Sequence, residues 1–304
     1  MVVLRPISAS AQLTEPPARH RVSYEAAAAA RYNPLGLFLF GNVSYRERLY
    51  RSDSVALLDN HVGIGLAGAV SPAFGRIGVR ADVQPLTILR LSATYLFGAY
   101  FGTFGNLQSY ASPDGDWSDS ARDAAEDAPD PDQRPYATHG HQLQLAAQLQ
   151  LKLGGFVIRD TFVGQWTSYA LRPGDVGYYD PVLDTLVPNG GFTLANDLDL
   201  LYVFDGTGWM AGARYNWTRP VYTSADWVND PDGSETYDNV IQRIGPLLGY
   251  TFEGTGPGFQ RPTLLLLLQW YAVHRFRTGE DVSRAVPYVG VALLTKGDLL
   301  SRGD

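Results

Sequence analysis

Residues 141–153 read His-Gln-Leu-Gln-Leu-Ala-Ala-Gln-Leu-Gln-Leu-Lys-Leu. Leu143, Leu145, Ala147, Leu149, Leu151 and Leu153 fall on one side of an extended chain, and Gln142, Gln144, Gln148, Gln150 and Lys152 on the other. Successive side chains of a strand point to opposite faces, so this segment builds a sheet with one apolar and one polar face. It is long enough to cross a bilayer obliquely. A sheet of many such strands hides its apolar face against another layer, or curls into a cylinder with lipid outside and a polar lumen.

The alternation recurs along the chain. Val22, Tyr24, Ala26, Ala28, Ala30 and Tyr32 oppose Ser23, Glu25 and Arg31; Leu37, Leu39, Val43 and Tyr45 oppose Asn42, Ser44, Arg46 and Arg48. Further dyad segments span 88–104, 139–153, 156–169, 192–204, 209–222, 239–252, 262–277 and 285–296. In 156–169 Asp160 interrupts the face of Phe156, Ile158, Phe162 and Trp166. The phase flips across Ser71–Gly75, which a turn or a bulge can produce, and the turn divides 61–84 into two strands. Tight connections at 84–87, 154–155 and 205–208 contrast with long polar ones at 105–138, 170–191 and 223–238. These elements predict an all-β fold: an antiparallel, up-and-down transmembrane β-barrel of about twelve strands over 21–304. If the alanines of 21–31 form a helix and 61–84 is one bent strand, ten strands remain, which is also even.

Apolar residues make up 45% of the chain, which excludes a disordered polypeptide. The formal net charge of −7 argues against nucleic acid as a partner. The longest apolar run, Leu264–Leu268, is too short for a spanning helix. Residues 1–20 are polar and read as a tether or signal remnant; Ala9-Ser10-Ala11 matches a small-residue cleavage site, but Arg5 and Pro6 interrupt the apolar stretch expected before it.

On the repeated dyad strands, the short and long connections and the rim aromatics Phe156, Trp209, Trp217 and Phe252, the chain resembles the Gram-negative outer-membrane β-barrel proteins. The resemblance covers roughly residues 20–298. It implies a place in the bacterial outer membrane, the lipid bilayer as partner, and a porin-like role or a structural one. Barrels of this class usually end on an aromatic residue, whereas this chain ends Leu299-Leu300-Ser301-Arg302-Gly303-Asp304.

Charge in the lumen carries the functional expectation. Arg46, Arg48, Arg90, Arg159, Arg214, Arg243 and Arg275, with Asp197, Asp199 and Gln269, are the expected lumen-lining side chains. Arginine rows in a wet pore favour small polar or anionic solutes; paired with acids across a narrow lumen, the same residues plug it. The first alternative is therefore a closed structural or surface-interaction barrel. A second is an outer-membrane hydrolase such as a phospholipase, a class that works with a Ser-His pair on the lipid-facing rim. Ser168 and an outward His274 are the candidates, but no spacing joins them. A third is a soluble barrel holding a ligand inside, for which Leu143–Leu153 would need cover.

The other constellations favour solvated rims. His139 and His141 form a His-x-His pair with no third ligand nearby, so no metal site is expected there. The acids Asp114, Asp116, Asp119, Asp123, Glu126, Asp127, Asp130 and Asp132, like the Asp230–Glu235 fragment, lack calcium-loop spacing. No Gly-x-Ser-x-Gly elbow, phosphate loop or dinucleotide fingerprint occurs, and no cofactor is expected.

Overall fold

The computed structural model describes residues 16–227, 237–253 and 261–302. Residues 1–15, the Asp230–Glu235 fragment and the last two residues lie outside them. Twelve antiparallel strands close into a barrel: His20–Tyr32 (β1), Gly36–Glu47 (β2), His61–Ser71 (β3), Phe74–Leu86 (β4), Leu89–Phe101 (β5), Ala137–Leu153 (β7), Phe156–Tyr169 (β8), Gly191–Val203 (β11), Trp209–Val221 (β12), Ile241–Thr251 (β13), Thr263–Val273 (β14) and Tyr288–Arg302 (β15). Ser109–Tyr110 (β6), Gly177–Asp180 (β9) and Thr185–Pro188 (β10) form a separate small sheet. Strand β1 begins and strand β15 ends on one rim, here the lower, and the loops 102–136, 170–190 and 274–287, with the described residues 222–227 and 237–240, lie on the upper.

The twelve-strand alternative is the one formed. The Ala26–Ala30 run is a strand because it pairs on both sides, with β2 and with Val291–Thr295 of β15, and so closes the cylinder. Tertiary pairing here outweighs the helix propensity of alanine. The phase flip at 71–75 is a turn, with Ser71 opposite Phe74. Strand β14 stops at Val273 instead of running to 277, and β15 extends to Arg302.

The outer face carries the apolar rows: Leu66, Ile77, Leu145, Leu149 and Leu264 are all exposed. Aromatics mark its lower edge, where Phe156 packs on Tyr202, Tyr202 on Phe204, Trp209 on Tyr250 and Tyr250 on Phe252. Between β11 and β12, and again between β13 and β14, the wall is too tight at one position for a side chain. A Cβ on Gly212 would lie 2.0 Å from the Leu200 carbonyl oxygen, and one on Gly245 2.0 Å from that of Leu268.

The inner face departs from a uniformly polar lumen. From β11 to β15 it is partly apolar, with Leu201, Val203, Met210, Leu247, Leu265 and Leu294 buried together. The Leu264–Leu268 run is why: its even positions face outward, and Leu265 and Leu267 have only the inside left to fill.

Candidate functional site: a capped and charged lumen

The charged inner wall runs over β1 to β5 and on to β8, β11 and β12. On one side Glu25 of β1 accepts from Arg46 Nη2 and Arg90 Nη1, each at 2.8 Å. Arg90 Nη2 lies 3.0 Å from Asp82, whose Oδ2 also meets His61 Nε2 at 2.9 Å. Across the lumen, Asp199 accepts from Arg159 Nε and from Arg214 Nη2, each at 2.9 Å, and is fully buried. Asp197 accepts from Asn216 and lies 3.7 Å from Arg214. An isolated ion inside a barrel is very costly, and these clusters satisfy one another.

Between the two clusters lie two cavities that share Arg80, Thr94 and Gln144. Arg80 Nη1 donates to Thr94 Oγ1 at 3.0 Å, while its Nη2 has no hydrogen-bond acceptor among the described residues. Val182 forms part of the wall of one cavity and Leu183 of the other. Both belong to the hairpin made by β9 and β10, whose tip turns down into the barrel.

That hairpin closes the upper lumen. Asp180 Oδ1 accepts from the backbone N–H groups of Val182 and Leu183, and its Oδ2 accepts from Gln165 and lies 3.6 Å from Arg76. Arg31 donates to the carbonyls of Pro181 and Val182. Asp184 receives Arg277 Nε at 3.1 Å, Tyr271 Oη at 2.9 Å and Tyr179 Oη at 2.8 Å. Arg277 also binds Asp119 at the start of the short helix Asp119–Glu126 (α1), so the loops after β5, β8 and β14 meet at one knot. Trp117, Tyr179, Leu186 and Phe276 bury one another above it. The Arg277 guanidinium holds the carboxyls of Asp184 and Asp119 below the usual carboxylate range, against their burial.

The structure sorts the residues expected in the lumen. Arg46, Arg159, Asp197, Asp199, Arg214 and Arg243 are buried on the inner wall, as is Gln269, which donates to the Arg214 carbonyl, and Arg90 is partly buried on the same wall. Arg48 is not among them: β2 ends at Glu47, and Arg48 donates to the Pro17 carbonyl at the lower rim. Arg275 lies beyond the end of β14, in the cap, where it donates to the carbonyls of Asp114 and Gly115 and stacks on Tyr237. His274 is not outward either. It is buried in the cap between Trp117 and Tyr271, with Nε2 3.4 Å from Asp184, whereas Ser168 lies on β8 opposite His141. The two candidates for a Ser-His pair therefore do not meet. His139 and His141 face outward and pack on Phe97, and His141 Nδ1 meets Tyr95 Oη at 2.9 Å. Among the described residues no group of three His, Asp or Glu side chains could hold a metal ion.

Arg76, Arg80 and Asp82 also face the lumen, beyond the residues expected there. They share the even phase of β4, on the face opposite Ile77, Val79 and Ala81, so the dyad pattern carries the signal. The hairpin has a sequence signal too, because Val182-Leu183 and Leu186-Val187 are apolar pairs inside the otherwise polar connection 170–191.

A closed antiparallel barrel with an apolar outer belt, aromatic edges and charge inside is a transmembrane β-barrel. Among solved structures it is similar to OccAB1 of Acinetobacter baumannii, at 7% identity over 95% of this chain and 99% of the other, with a TM-score of 0.41. It is also similar to an outer-membrane channel from Pseudomonas putida (10%, 95% and 99%, TM-score 0.43). A third is LpxR from Salmonella typhimurium (12%, 90% and 99%, TM-score 0.42). No family model and no curated protein matches the sequence.

Proposed function

We propose that this protein is an outer-membrane channel for small polar solutes, preferring anions, held here in a closed conformation. The carrying observation is the pair of neighbouring cavities that share Arg80, with Val182 of the hairpin in the wall of one and Leu183 in the wall of the other. The charged groups that line the two cavities are more cationic than acidic: Arg76, Arg80 and Arg90 against Glu25. A field of that sign concentrates anions. The hairpin belongs to a loop and not to the wall, so it can move without opening the barrel.

A closed structural barrel is the second reading, favoured by the hydrogen bonds that Asp184 and Asp180 gather onto the hairpin. Planar-bilayer recording separates the two. The channel reading expects rare openings from the native chain and steady anion-selective steps when residues 179–186 are replaced by a short Gly-Ser linker. Silence from that variant, with the barrel folded, supports the structural reading instead.

A further inference from the structure

On the β1 to β5 side of the lumen three arginines share two carboxylates. Arg46 and Arg90 each lie 2.8 Å from Glu25, and Arg90 lies 3.0 Å from Asp82. Arg80 comes no nearer to Asp82 than 3.8 Å, through Nε. Neither its Nε nor its Nη2 has a hydrogen-bond acceptor among the described residues. Arg80 is nonetheless buried, at 7% exposure. A buried cation without a close counter-charge is costly, so an anion belongs beside it.

The cavity that has Leu183 in its wall offers the place. Arg80 and Arg90 line it, and among the described residues no carboxylate does. Ser92, Thr161, Thr193 and Gln148 line it too, and none of these side chains donates to an acceptor among the described residues. The rest of the lining is apolar. Ala146, Val163 and Ala195 are successive neighbours across β7, β8 and β11, and Leu183 joins them from the hairpin. The cavity volume is about 40 Å³. That is room for about three waters, or for a solute of about four non-hydrogen atoms.

We propose that this cavity binds a small monocarboxylate of the size of acetate, its carboxylate beside Arg80 and its alkyl end on the patch of Ala146, Val163, Ala195 and Leu183. A carboxylate only accepts hydrogen bonds, and the free groups of this wall are donors. One arginine lacks a close partner, so a single negative charge balances it, while a dianion would carry a second, unmet charge into the barrel. The apolar patch separates an alkyl carboxylate from chloride, which has nothing to place there. The site rests on the channel reading above for the solute's way in.

Reversible urea unfolding in liposomes tests the site without conduction. The chain folds around the solute, so a closed cap does not exclude it. Sodium gluconate, too large for the cavity, serves as the background salt. A solute that binds only the folded chain raises the unfolding midpoint as its concentration rises. Acetate should do so saturably, and chloride and butyrate much less. Arg80→Gln keeps a hydrogen-bonding side chain without the charge, and should weaken the apparent acetate affinity by about tenfold or more. Leu183→Ala enlarges the apolar end, and should raise the affinity for butyrate relative to acetate by about tenfold. A midpoint indifferent to acetate, an equal rise with chloride, or a rise that survives Arg80→Gln overturns the proposal. Should Arg80→Gln fail to fold, an unchanged preference in Leu183→Ala overturns it equally. Anion-selective currents from a chain that ignores acetate end this proposal and keep the channel reading. An acetate response from a chain that stays silent even with residues 179–186 replaced keeps the site and ends the channel.

Discussion

Arg277 sets its Nε 3.1 Å from Asp184 Oδ2 and reaches Asp119 with Nη1 at 2.6 Å, so one guanidinium ties the plug hairpin to the helix above it. Arg277 and Asp184 are both buried, and neither has bulk water to fall back on. Removing one partner strands the other, a loss of about 3–5 kcal/mol for a buried pair. Arg277→Gln is therefore expected to loosen the cap without unfolding the barrel. Hydrogen exchange of residues 177–188 should rise by orders of magnitude while exchange in β1–β5 stays unchanged, and opening frequency in a bilayer should increase.

His274 gives the cap a pH dependence. Its Nδ1 accepts the N–H groups of Phe276 and Arg277, both at 3.0 Å, and that nitrogen cannot take a proton without losing them. Burial lowers the pKa of the ring, Asp184 opposes the shift, and Arg277 and Arg243 add to it. A depressed folded pKa contributes stability that is whole above the unfolded value, about 6.5, and drains as pH falls towards the folded one. Asp184 and Asp119 are depressed too, and their contribution drains only below about pH 4. Exchange of the hairpin should first rise below about pH 6.5 and again in stronger acid. His274→Asn, whose side-chain oxygen can stand where Nδ1 stood, should abolish the first rise and keep the second.

How far the sequence could be read follows from where the dyad signal applies. Strands whose two faces meet different solvents were legible: β7, with Leu149 out and Gln148 in, is the plainest case. The phase of β4 is equally visible, with Arg76, Arg80 and Asp82 on the face opposite Ile77, Val79 and Ala81. Period two says nothing beyond a strand's end, so His274 and Arg275 were given strand positions that belong to the cap. Nor does it show which inward side chains pair: Arg46 and Glu25 are 21 residues apart, and their 2.8 Å contact comes from adjacent strands of the closed wall. The hairpin contact between Asp184 and Arg277, 93 residues apart, is invisible to any local pattern.

The lipid face can be tested on β3, far from Asp160. Leu66 is 63% exposed and points outward near the middle of its strand, whereas Ala67 borders the inner cavity. Leu66→Arg is expected to destabilise the barrel by about 2–4 kcal/mol in reversible folding into liposomes. Ala67→Ser should change stability by less than about 0.5 kcal/mol. Equal losses at the two positions would contradict an outward face in hydrocarbon.

Asp199 should matter more to stability than any other acid of the inner wall. It takes four contacts from two arginines, with Arg159 Nη2 and Arg214 Nε each at 2.5 Å, and has no exposure to water. Asp199→Asn keeps the shape and removes the charge, leaving Arg159 and Arg214 to repel each other. A loss of about 3–5 kcal/mol is expected from urea unfolding. Pairing it with Arg159→Met removes one of the opposed cations and should recover a large part of that loss, because the remaining Arg214 still lies 3.7 Å from Asp197. A double variant as unstable as the sum of its parts would show that the three side chains act independently and that the wall is held by its backbone ladder alone.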